Sequence, residues 1–65
     1  MSKVSQFVQR YNVDGYVLIN VLEALARQAR VSTDSLLAVA LVDKISAEYL
    51  VRCVARVQQN GQEQK

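Results

Sequence analysis

The chain of 65 residues contains no histidine, no proline and no tryptophan, and it has a single cysteine. Each absence removes a class of chemistry. Without histidine there is no Ser-His-Asp or Cys-His nucleophile pair and no imidazole acid/base. One cysteine excludes an internal disulfide, and with no histidine it excludes the usual four-ligand zinc site. The carboxylates Asp14, Glu23, Asp34, Asp43, Glu48 and Glu63 are scattered and suggest no catalytic or metal-binding pair. The expectation is a chain that is not an enzyme and carries no cofactor and no metal.

Long apolar runs are also missing. The longest covers Leu36 to Val42, far short of the roughly 20 residues of a membrane span. The first residues lack the apolar stretch of a secretion signal, and the lone Cys53 fits a reducing compartment. These features lead us to expect a cytoplasmic protein with no membrane partner.

What the chain has in excess is apolar side chain, 51% of its residues. A domain of this size buries only about 60% of the surface its unfolded chain exposes. A surplus of apolar surface is expected, and with it a homodimer. The net charge of +2 permits nucleic-acid binding without demanding it.

Apolar spacing and punctuation predict an all-α bundle of about four short helices over residues 1–61, followed by a polar flexible tail at 62–65. Val4, Phe7, Val8 and Tyr11 mark one face of a first helix capped by Ser2. Asn12-Val13-Asp14-Gly15 reads as a turn. A second helix runs from about Gly15 to Arg30 with Asp14 as N-cap. It is apolar over most of its circumference, so it is expected at the centre or against a partner. A third starts after Ser32 and carries the apolar run. A fourth spans about Ser46 to Gln59, with a stripe of Leu50, Cys53, Val54 and Val57, an expected Glu48–Arg52 pair, and a stop at Asn60-Gly61.

The segment from Leu25 to Leu41 resembles the helix-turn-helix of bacterial DNA-binding regulators. Ala26 stands where that family has a small residue for close helix approach. Ala29 precedes the turn. Val31 and Ser32 match the apolar plug and the capping hydroxyl, and Leu36 and Val39 match the two core-directed residues of the second helix. Arg30 occupies the turn position where the family favours glycine. The resemblance implies a DNA-binding transcriptional regulator in which Thr33, Asp34, Leu37 and Ala38 face the major groove of double-stranded DNA. Arg27 and Arg30, with Arg52 and Arg56 on the last helix, would then contact phosphates.

The same residues carry an alternative. The groove-facing positions hold no Arg, Lys, Asn or Gln, the side chains that read base edges. Leu37, Ala38 and Leu41 would instead form an interface, and the chain would be an interaction module such as an inhibitor, antirepressor, chaperone or assembly factor with a protein partner. If the third helix is the central one, the three belong to the core instead. Whether they are buried in the monomer, buried between chains or exposed decides between the readings.

Overall fold

A computed structural model describes the backbone of residues 2–63 and the side chains of residues 2–59. Among these the chain is all-helical: α1 is Lys3–Tyr11, α2 is Gly15–Ala29, α3 is Thr33–Val42 and α4 is Lys44–Glu63.

Short polar residues start three of the helices. The Ser2 hydroxyl accepts from the Ser5 amide at 3.1 Å, and Ser32 accepts from Ser35 at the same distance. The Asp14 carboxylate accepts from the amides of Tyr16 and Val17 at 2.9 and 3.1 Å. Each bond satisfies an amide that has no partner within its own helix. The fourth start is tighter. Asp43 closes α3 and opens α4, so one residue joins the two helices. Its carboxylate accepts from the Ser46 amide and hydroxyl.

The first two helices end on a left-handed residue, and neither is glycine. Asn12 has φ 55° and Arg30 has φ 59°. The expected turn at 12–15 is present, but Asn12 makes the left-handed step, while Gly15 is the first residue of α2. Asparagine tolerates that conformation better than most residues.

Two expectations for α4 are corrected. It begins at Lys44, before the expected Ser46, because Asp43 already supplies the cap. It also runs through Asn60-Gly61 to Glu63. A glycine inside a helix costs only about 1 kcal/mol, and no proline follows to force a stop. Of the tail expected at 62–65, the last two residues lie outside the described ones.

The core lies where the four helices meet. Phe7 of α1, Leu18 and Leu22 of α2, Leu37 and Ala40 of α3, and Ala47, Leu50 and Val54 of α4 are buried together. Burial of each large side chain contributes roughly 1.5–3 kcal/mol. Phe7 also packs on Tyr11, with ring centroids 4.5 Å apart. The second helix is not surrounded. Leu18, Val21, Leu22 and Ala26 face inward, whereas Tyr16, Ile19, Ala24 and Ala29 are exposed. No helix among the described residues is long and apolar enough to cross a membrane.

Candidate functional site

Everything about α3 depends on which face it turns inward. Its sequence from Leu36 to Val42 is apolar all the way round, so spacing cannot settle the orientation. Contacts with α1 and burial do. Lys3 Nζ lies 3.2 Å from Asp34 Oδ1 at the start of α3. Seven residues further along each helix, the Arg10 guanidinium donates to the Leu41 carbonyl at 3.1 Å. The two helices thus lie side by side and run in the same direction. Between those contacts Leu37 is only 3% exposed, and Ala38 and Leu41 are half-buried.

For Leu37, Ala38 and Leu41 the sequence left a DNA groove, a protein interface and the core as alternatives. Leu37 belongs to the core of the chain itself, and Leu41 packs against that core. Asp34 and Thr33 remain exposed beside Ser2, Lys3 and Glu23, around a cleft of about 190 Å³. Of the two residues matched to the core-directed positions of the helix-turn-helix, Leu36 is half-buried and packs against the core, whereas Val39 is 50% exposed. Leu37 and Ala40 are the fully buried residues of α3. Val31, the expected plug, is also exposed.

The open side of α3 forms one wall of an apolar groove of about 550 Å³. Leu25, Gln28 and Ala29 come from α2, and Leu36, Val39 and Ala40 from α3. From α4 come Ile45, Ser46, Tyr49 and Leu50. None of these ten residues is charged. Ile45 and Tyr49 line the groove yet remain 77% and 57% exposed, and Val42, three residues before Ile45, reaches 87%. Contiguous exposed apolar surface of this kind marks interaction sites in small proteins. Sequence reading passed over this strip. The i,i+4 pair Ile45 and Tyr49 was the available signal, but the competing stripe at Leu50, Cys53, Val54 and Val57 has more members; Leu50 and Val54 are buried and Cys53 half-buried, while Val57 is 45% exposed.

The four arginines proposed for phosphate contact are all exposed. Arg27 and Arg30 stand at the end of α2, and Arg52 and Arg56 on the outer face of α4. The expected Glu48–Arg52 ion pair is not formed: among the described residues the one ion pair is Lys3–Asp34. Both side chains reach into water, where pairing offsets little of the entropy of holding them together. Cys53 is a free, half-buried thiol. Among the described residues no three of His, Cys, Asp and Glu come together as metal ligands would.

The local geometry from Ala26 to Thr33 is a helix, a short left-handed turn and a second helix. The amides of Arg30 and Val31 both donate to the Ala26 carbonyl, and Ser32 caps α3. No protein-family model, no curated protein and no solved structure matches the chain.

Proposed function

We propose that this chain is a small, non-enzymatic protein-interaction module that docks through the groove between α2, α3 and α4. One observation carries the reading. Leu37, in the middle of the α3 face that would have to enter DNA, is buried in the chain's own core, while the opposite side of α3 is open at Val39. An uncharged apolar trough bordered by Ile45 and Tyr49 suits a helix or another apolar protein surface. It offers phosphate no positive charge, the main source of affinity for nucleic acid.

A second reading is favoured by a different observation. The left-handed turn at Arg30, followed by a serine-capped helix, is consistent with a helix-turn-helix, with Arg27 and Arg30 exposed beside it. It supports a DNA-binding regulator acting mainly through backbone contacts.

Two measurements separate them. Fluorescence anisotropy with random duplex at low salt is expected to give no binding at micromolar protein. A photo-crosslinking amino acid at Val39 is expected to give adducts with polypeptide, and the same group at exposed Gln9 on α1 is not. Salt-dependent duplex binding that weakens on replacing Arg27 and Arg30, together with no polypeptide adduct from Val39, would establish the second reading instead.

A further inference from the structure

We infer that the groove takes an acidic amphipathic helix of a partner protein, with the apolar side of that helix in the trough and its carboxylates against Arg52 and Arg56. The inference rests on the docking reading above and names the chemistry of its partner. The backbone of the occupant sets the first requirement. The lining is apolar apart from Gln28, Ser46 and Tyr49, and the Ser46 hydroxyl already donates to Asp43. Such a trough cannot satisfy the amides and carbonyls of an extended segment, and burying them without partners is costly. Among the described residues there is no strand edge to supply those bonds. A helix satisfies its own backbone and presents side chains at i, i+3, i+4 and i+7 to a groove.

The charge of the occupant follows from α4. Ile45, Tyr49, Arg52 and Arg56 are spaced i, i+4, i+7 and i+11, which places them along one side of the helix, and all four are exposed. The first two line the groove. The same line thus passes from apolar wall to two cations within about 17 Å. Glu48, one turn before Arg52, is the single acidic residue from Lys44 to Gln59, against Lys44, Arg52 and Arg56. Among the described residues it is paired with neither arginine. The carboxylates elsewhere on the three walls are engaged away from this line. Asp34 pairs with Lys3, Asp43 accepts from Ser46, and Glu23 borders the cleft beside α1. Alongside the trough, α4 therefore offers apolar surface followed by a surplus of positive charge. Its complement is apolar surface followed by negative charge.

The test uses synthetic helical peptides of about 16 residues, with leucines along one side and glutamate, glutamine or lysine along the other. Each is fluorescently labelled and titrated at low salt with the purified full chain to about 100 μM. The glutamate peptide is expected to bind about tenfold more tightly than the lysine peptide, with the difference shrinking as salt rises. Arg52→Glu combined with Arg56→Glu is expected to reverse that order while the far-ultraviolet circular dichroism stays helical, since both side chains are exposed. Ile45→Asp is expected to weaken all three peptides. Equal binding of the three, a glutamate preference that survives the double charge reversal, or binding indifferent to Ile45→Asp would each overturn the acidic helix as occupant. So would the absence of binding by any peptide, or duplex DNA bound through Arg52 and Arg56 in the peptide's place. Any of these results alongside a polypeptide adduct at Val39 would overturn this inference alone and leave the docking reading standing. Absence of both adduct and peptide binding would remove both.

Discussion

Lys3 and Asp34 meet at 3.2 Å, a contact that marks the rotation of the most ambiguous helix in the chain. The ion pair itself is worth little. Both side chains are largely in water, at 43% and 73% exposure, and exposed pairs contribute about 0–1 kcal/mol. Its neighbour is worth more in geometry. Arg10 reaches the last turn of α3, where unpaired carbonyls attract a cation. Replacing Asp34 by asparagine should therefore lower stability by less than about 1 kcal/mol, with the loss shrinking in high salt. Arg10→Ala should be comparable or larger and less salt-sensitive. Urea denaturation at two ionic strengths checks both. An Asp34 loss of several kcal/mol would mean the contact is more than a surface pair.

The inward turn of Leu37 and the outward turn of Val39 give opposite expectations for two adjacent-looking apolar residues. Leu37→Ala empties a core position and should cost about 2–5 kcal/mol, enough to unfold much of a domain this small. Val39→Ala should cost under about 1 kcal/mol, because half the side chain is already in water. Thermal unfolding at low protein concentration, where any dimer is dissociated, makes the comparison. Equal losses at the two positions would mean that α3 is rotated from the orientation described.

That contrast also marks how far the fold was legible. Helix number and the starts of α1, α2 and α3 could be read because Ser2, Asp14 and Ser32 are local signals whose physics needs no tertiary contact. The inner face of α2 was less clear: a helix apolar over most of its circumference was expected to be surrounded, and only Leu18, Val21, Leu22 and Ala26 are buried. The inner face of α3 could not be read. A helix apolar on every side has no phase, and only Lys3, Arg10 and the core around Phe7 supply one. The candidate site inherits that ambiguity. Leu37, expected in a groove, is core, and Val39, expected in the core, is open, an outcome tied to contacts some thirty residues apart in sequence.

The two positions where backbone conformation and residue type disagree offer stabilising changes. Arg30 has φ 59°, a conformation that costs a residue with a Cβ roughly 1 kcal/mol. Arg30→Gly should stabilise by about 0.5–1 kcal/mol. Gly15 has the reverse problem: it is the first residue of α2, with φ not positive. A Cβ built there would meet Val8 at 3.8 Å, an ordinary contact. Gly15→Ala should stabilise by about 0.4–1 kcal/mol through the unfolded chain. In a domain this size each change should raise the midpoint by several degrees, which calorimetry resolves. A lower midpoint for Arg30→Gly would deny strain at that turn.

Asp43 ties the acid stability of the protein to the single-residue junction of α3 and α4. Hydrogen bonds from the Ser46 hydroxyl and amide hold its carboxyl below the ordinary value, helped by the Ile45 amide. A carboxyl lowered in the folded state binds its proton more readily when unfolded. Its contribution is therefore complete above the ordinary carboxylate value of about 3.9. It is lost as pH falls below that toward the lower folded value. The carboxyl is fully exposed, so water screens the effect and it should be modest. Asp43→Asn keeps a capping oxygen but removes the titration. The variant should lose less stability than the parent between about pH 5 and pH 2, and Ser46→Ala should do likewise by removing the main cause of the shift. Denaturation curves at a series of acid pH values test this. Parallel loss in the parent and both variants would place the acid sensitivity in other carboxylates.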